Sequence, residues 1–347
     1  MALLHFRYIF PGAQLMKTYV FQRFIYMLFL LWMVSVVTFI VIQLPPGDYL
    51  STYIARLEQN TGEQLAEEIV EALRRQYGLD LPLHQRYFKW FGQVLQGEFG
   101  FSYDYQEPVR DLIGERLILT FTIAILSAIF TYAVAIPIGI YSATHQYSVG
   151  DYVVSIVGFV GLAIPNFMLA LILLYIGFKS FGLNLTGLFS PEYLYAPWTL
   201  AKIGDLLLHL PIPVIVVGTA GTAGLIRVLR GTLLDELNKQ YVITARSKGV
   251  GEVTLLFKYP VRVALNPIVS SLAWLFPSLI SGGTITAIVL GLPTAGPMLY
   301  RALITQDTFL TATLLMFVTI LTVIGTTVSD ILLVIVDPRI RMERAAS

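Results

Sequence analysis

Six stretches of the chain are apolar for long enough to cross a bilayer, and polar segments of very unequal length separate them. A helix needs about 20 apolar residues to span roughly 30 Å of hydrocarbon. The runs at about 24–44, 117–143, 152–178, 206–226, 268–291 and 309–336 reach that length. The pattern predicts an all-α integral membrane protein with six transmembrane helices. Lys17 and Arg23 precede the first run, as they would in a signal peptide. The run is too long for a signal-peptide core and no small-x-small cleavage site follows it, so it reads as an anchor. Basic residues orient the bundle. Arg7, Lys17 and Arg23, then Arg227, Arg230, Lys239, Arg246, Lys248, Lys258 and Arg262, then Arg339, Arg341 and Arg344 all fall on one side. Both termini are therefore expected in the cytoplasm. The first outer loop holds seven basic and twelve acidic residues and is too long for the rule to count in full.

The polar segments divide the chain into a cytoplasmic N-terminal part (1–23), the first span (24–44), an outer insertion (45–116), a membrane core (117–336) and a short cytoplasmic tail (337–347). The insertion is far longer than a connection requires. Within it, residues 63–78 put Leu65, Ile69, Ala72 and Leu73 on one helical face. Residues 87–97 read as a second short helix carrying Tyr87, Phe88, Trp90 and Phe91. A small helical cap on the outer membrane surface accounts for both, and such a cap would also serve as a docking platform. Inside the core lies a polar interruption, 227–267, that includes YVITARSKGVGEVTLLFKYP. Its Arg246, Lys248, Glu252 and Lys258 are too polar to cross a bilayer, and Gly249 and Gly251 break whatever helix it forms.

Composition narrows the chemistry. The chain is 56% hydrophobic with a mean hydropathy of +0.72 and only 13% charged residues, about half the charge of a soluble domain. A net charge of +1 offers no basic face for nucleic acid. Cysteine is absent, and His5, His84, His145 and His209 lack metal-ligand spacing, so no metal is expected. No phosphate loop, zinc-protease helix or nucleophile elbow occurs. His209 near the fourth span is the one histidine an intramembrane protease would use, but no serine is set off by a matching motif.

What stands out inside the spans are breakers and small polar groups: Pro137; Gly158, Gly161 and Pro165-Asn166; Pro211, Pro213 and GTAGTAG (218–224); Pro277-Ser278 and SGGTIT (281–286). In lipid, breakers persist where neighbouring helices or a water-lined cavity satisfy the freed backbone. GTAGTAG alone reads as close helix packing. Breakers in four of six spans point further, to helices that line a pathway and move. The candidate lining residues are Pro165, Asn166, Ser278, Ser281, Gly282, Gly283 and Thr284. Asp330 is the one acid within a span, about two turns from its cytoplasmic end, and is expected to pair with Arg227 or Arg262. A role in the pathway is the second reading of Asp330.

The stretch YVITARSKGVGEVTLLFKYPVRVALNPI resembles the cytoplasmic loop of binding-protein-dependent ABC importer permeases, and more narrowly that of the dipeptide/oligopeptide branch. Tyr241, Val242, Thr244, Ala245, Arg246, Lys248 and Gly249 match the branch. Gln240 stands where an acid is usual and Pro260 where an alanine is. VSVVTFIVIQLPPGD (34–48), YGLDLPLHQRYFKW (77–90), GEFGFSY (97–103), PVRDLIGERL (108–117), GLAIPNFMLAL (161–171) and VDPRIR (336–341) follow the branch in order. The branch begins near Met16, so residues 1–15 read as an extension or an upstream start codon.

The resemblance implies a type I importer permease fold and the first of two permease subunits, in the inner (cytoplasmic) membrane of a bacterium or archaeon. It implies no catalysis by this chain. ATP and magnesium would be held by two separate ATPase subunits, alongside a second related permease and an external solute-binding protein. Tyr241, Thr244, Ala245, Arg246, Ser247, Lys248, Gly249 and Val250 would form the coupling helix seated on an ATPase subunit. Peptides are the implied solute, with oligosaccharides or nickel as alternatives within the same class. A self-sufficient channel or secondary transporter would instead place charges near the bilayer midplane, and Asp330 lies too near the inner surface for that.

Overall fold

The computed structural model describes residues 12–43, 70–71, 75, 81–102, 104–272 and 283–336. The expected helix over 63–78 falls almost wholly outside these, as do Ser278, Ser281, Gly282 and the 337–347 tail. Two compact units emerge, one of residues 1–112 with 301–323 and one of residues 113–300 with 324–347.

In the first unit, helix Gly12–Gln43 contains the expected first span. The second helix of the outer insertion is present but starts earlier than expected, as Leu83–Leu95. It buries Tyr87 and Trp90 against Phe39 and Ala312 and leaves Phe88 exposed. The Tyr87 and Ser35 hydroxyls meet at 2.8 Å, so this aromatic cluster also fixes a polar pair.

One departure from an all-α fold follows: strands Phe101–Ser102 and Glu107–Pro108 pair antiparallel. The chain enters the hairpin through Gly100, whose φ of +84° suits glycine, whose carbonyl accepts from the Val109 amide (3.0 Å) and whose absent Cβ would stand 2.8 Å from the Phe309 ring. Asp307, fully buried, holds the hairpin. Its carboxylate accepts from the Ser102 hydroxyl (2.6 Å), the Asp104 amide (3.2 Å) and the Leu310 amide (3.2 Å). The last of these caps helix Thr308–Val336. Arg301 donates to Asp104 at 2.5 Å and lies over the Tyr105 ring.

The second unit is built on long apolar helices. Among the described residues of the whole chain, three helices are long and apolar enough to cross a membrane: Val109–Thr144 and Pro211–Leu237 here, and Thr308–Ser329, most of which belongs to the first unit. A fourth span is present if Val149–Ala163 and Asn166–Phe181 count as one, since they bend by 102° at the break between them. The expected span over 152–178 is thus broken, because Pro165 denies the backbone its helical hydrogen bond and pushes Ile164 to extended geometry (φ −82°, ψ 121°). Pro137, by contrast, sits inside Val109–Thr144 without ending it.

The expected fourth span over 206–226 is displaced. Residues 200–209 form their own helix, Leu200–His209, and the long helix begins at Pro211, where proline suits a first turn. It runs on to Leu237, so residues 227–237 of the expected polar loop are helical. Of the expected fifth span, short helices Asn266–Ser270 and Thr284–Val289 are described on either side of residues 273–282.

GTAGTAG packs as expected. Gly218 lies so near Val109–Thr144 that a Cβ there would stand 2.5 Å from Phe130, and the Thr131 hydroxyl donates to the Gly218 carbonyl at 3.0 Å.

Candidate functional site

The polar interruption folds as a chain of short helices: Gln240–Ser247, Glu252–Lys258, Pro260–Ala264 and Asn266–Ser270. The first is set off from Pro211–Leu237 by Asn238 and Lys239 alone. It begins one residue before Tyr241, the first residue assigned to the coupling helix, and Tyr241 closes the junction by donating its hydroxyl to Glu236. Gly249 ends it with φ +77°, so that the Gly249 amide reaches Arg246 (3.0 Å) and the Val250 amide reaches Ala245 (3.3 Å). This is a glycine-terminated helix end. Gly251, expected to share that task, instead starts the next helix with extended geometry.

Val242 and Ala245, one helical turn apart, are buried against Leu255, with Val250 and Tyr259 partly buried around them. The two short helices therefore pack on each other through a small hydrophobic contact. Tyr241, Thr244, Arg246, Ser247, Lys248 and Gly249 remain exposed. Of the eight residues assigned to the coupling surface, Ala245 and Val250 thus serve internal packing. Arg246 also has a partner within the chain: its Nε and Nη2 donate to the two Glu252 oxygens at 2.7 and 3.1 Å. That pairing holds the Glu252 carboxyl below its ordinary pKa and raises that of Arg246. Sequence reading also missed Ile243, Val253 and Phe257, apolar side chains exposed on the same loop.

The candidate lining residues separate. Gly283 and Thr284 line a cavity of about 40 Å³ together with Thr120, Ile123, Val217 and Thr294. That volume suits a water or two and no larger solute. Pro165 and Asn166 stand instead at the 102° bend, Pro165 exposed and Asn166 partly so. Asp330 is helical, with its side chain outside the described residues. Arg227, one of its expected partners, has its guanidinium 5.0 Å from the centre of the Phe159 ring.

Three polar groups near the start of Pro211–Leu237 were not anticipated as a cluster. Lys202 is buried, donates to the Ala196 carbonyl at 2.8 Å and lies between the Phe189 and Trp198 rings at 4.8 and 5.0 Å. Asp205 accepts from both the amide and hydroxyl of Ser190 (2.7 and 2.6 Å). His209 is buried and gives its Nδ1–H to the Asp205 carbonyl. The Ser190 hydroxyl is thus committed to a carboxylate, which makes the group a clamp on segment 182–199.

The family profile described as binding-protein-dependent transport system inner membrane component matches residues 135–342, and its N-terminal counterpart matches residues 16–124. The chain belongs to this family. The permease is accordingly a multi-pass inner-membrane subunit of an ABC importer. It is 33% identical over 327 residues to the oligopeptide transport system permease protein AppB of Bacillus subtilis, covering 94% of this chain and 99% of that one. It is 30% identical to the inner membrane ABC transporter permease protein YejB of Escherichia coli O157:H7, over 94% of this chain and all of that one. A putative peptide permease protein of Brucella ovis is 31% identical over the same shares.

Proposed function

We propose that the permease forms half of a translocation route for peptides and takes its mechanical input from separate ATPase subunits through helix Gln240–Ser247. The observation that carries the reading is this helix itself. It is joined to a membrane-crossing helix by two residues, anchored from within by Val242 and Ala245, and presents Tyr241, Thr244, Arg246, Ser247 and Lys248 outward. A short rigid element at the end of a span transmits displacement as a lever. The names of the relatives, oligopeptide and peptide permeases, favour peptides as the solute.

In this reading the spans number six, both termini face the cytoplasm, and residues 45–116 meet a solute-binding protein outside. ATP and magnesium bind the partner ATPase subunits. Loading of solute and closure of the ATPase pair move the spans, and the bend at Pro165-Asn166 takes part in opening the route.

The test is co-purification and uptake with Gly249→Trp. No atom stands within 4 Å of a Cβ at Gly249, so the cost is confined to a backbone with φ +77° and to bulk on the docking face. The variant is expected to insert normally while losing the ATPase subunits or ATP-dependent uptake. Normal uptake by Gly249→Trp refutes the coupling assignment, and solute transport by the chain alone in liposomes without ATP refutes the importer reading.

A further inference from the structure

Asp151 and Arg230 form a buried ion pair that the coupling helix itself does not require. Arg230 Nε and Nη2 donate to the two Asp151 oxygens at 3.0 and 2.8 Å. The Ser142 hydroxyl and the Tyr147 amide (3.0 Å) complete the carboxylate's shell. The carboxylate is 4% exposed and the guanidinium 27%. Bidentate arginine–carboxylate pairs fix both distance and direction. Their burial is weak evidence for stability, because desolvation offsets much of the attraction. With the carboxylate buried and the guanidinium partly exposed at the ends of two helices, the pair fixes their relative position more than it adds stability.

The pair's position shows which elements it links. Arg230 lies about two turns before Leu237, where the long helix gives way to Gln240–Ser247. Asp151 lies in the first turn of Val149–Ala163, the half-span that ends at the 102° bend. Elsewhere the same two helices meet through small groups, with a Cβ at Gly158 standing 3.7 Å from Ala223 and one at Gly161 3.6 Å from Thr219, and through the Arg227 guanidinium on the Phe159 ring. Small-group contacts let helices approach closely without fixing their direction, and a cation on a ring face is only loosely directional. The ion pair, by contrast, is directional. Ser142 ties in the end of Val109–Thr144, and Tyr147, at φ +63°, is held in a left-handed turn by the same carboxylate.

We propose that Asp151 and Arg230 are positioning residues that carry movement of the coupling segment into the broken third span. The inference rests on the coupling role proposed above. It makes the pair a transmission link: with it cut, the ATPase subunits still dock and turn over, while the bend no longer follows.

The test uses the complete transporter, permease with its partner subunits and solute-binding protein, in vesicles. Uptake of a library of labelled tri- to pentapeptides is measured beside ATP hydrolysis. Asp151→Asn and Arg230→Gln are expected to raise the ATP consumed per peptide by about tenfold. Arg230→Lys, which keeps the charge and loses the fork, falls between them and the unaltered protein. The double variant is expected to be no worse than either single one, because both cut one link. An unchanged ratio in an assembled complex overturns the proposal, as do additive effects. Failure of all three single variants to assemble also overturns it, since the pair is then structural only. If the unaltered permease retains no ATPase subunits, the coupling reading itself fails. A coupled wild type beside an equally coupled Asp151→Asn sinks the link alone.

Discussion

The three glycines of GTAGTAG have different surroundings, and replacing each with alanine should separate packing from backbone effects. Alanine is favoured over glycine by about 1 kcal/mol in a helix interior. At Gly224 no atom stands within 4 Å of a new Cβ, so Gly224→Ala should gain roughly that amount. At Gly221 the nearest atom, Thr131 Cγ2, stands at an ordinary 3.5 Å, and the gain should survive. At Gly218 the Cβ would meet the Phe130 ring at 2.5 Å, with the Ser127 carbonyl and Thr131 hydroxyl oxygens at 3.2 Å. Those atoms confine it from three directions, and overpacking of this kind costs about 1–3 kcal/mol. The net result for Gly218→Ala is a loss of up to about 2 kcal/mol, larger if the bond from Thr131 to the Gly218 carbonyl breaks as well. Thermal unfolding of the purified permease in detergent, followed by loss of the monodisperse peak on size exclusion, reads the order directly. Expected is Gly224→Ala at or above the parent, Gly221→Ala close to it, and Gly218→Ala several degrees below. Phe130→Leu should restore part of the Gly218→Ala loss. A Gly218→Ala protein as stable as Gly224→Ala would refute the claim that close approach, and not backbone freedom, explains the glycine there.

Two other outcomes follow from named contacts. Asp307→Ala removes a helix cap and strands the Ser102 hydroxyl and Asp104 amide, at a cost of about 3 kcal/mol. Proteolysis across residues 98–106 should accelerate in the Ala variant and much less in Asp307→Asn, and equal protection in all three proteins would contradict the clamp. In the loop, Arg246 holds the Glu252 carboxyl below its ordinary value of about 4.3. A lowered carboxylate stabilises fully above the unfolded value and loses that contribution as pH falls through the folded one. Protection of the Gly249 and Val250 amides from hydrogen exchange, corrected for intrinsic rates, should therefore stay constant from about pH 8 to 5 and fall only below about 4. Glu252→Gln should weaken it throughout, whereas a midpoint between pH 5 and 7 would exclude the pair as its source.

Features set by one residue's backbone were legible in the sequence. Gly249 announces a helix end, Pro165 a break and GTAGTAG a close contact, because each restricts geometry wherever the chain happens to lie. The partners of charged groups were not. Asp151 and Arg230 are 79 positions apart, and no local pattern connects them. Arg246 and Glu252 are six apart, a spacing that meets only after a turn at Gly249 reverses the chain. Lys202 lies outside every expected span, and nothing local shows that its stem and ammonium are housed by two aromatic rings and a carbonyl. The hairpin at 101–108 was hidden for another reason. Strands of two residues carry no periodicity, and the left-handed residue within the turn is Gln106 and not a glycine.

The kinds of contact in the second unit differ along its helices in a way that bears on movement. Val109–Thr144 and Pro211–Leu237 are locked at mid-length by the Gly218 approach and the Thr131 hydrogen bond. Near their ends Leu229 and Leu233 pack with Ala143, Val261, Ala264 and Ile268. These two helices should move together. Val149–Ala163 meets Pro211–Leu237 through ordinary contacts at Gly158 and Gly161, through the Phe159 ring beneath Arg227 and through the ion pair at its first turn. In the proposed mechanism a displacement arriving from Gln240–Ser247 reaches the half-span chiefly through the fixed point at Asp151, with the weaker contact of Arg227 on the Phe159 ring about two turns further on. The 102° break after Ala163 then separates that half-span from Asn166–Phe181, so rotation about the fixed point need not drag the second half with it. A straight third span could not divide the motion in this way, which gives Pro165 a mechanical reason to stand where it does.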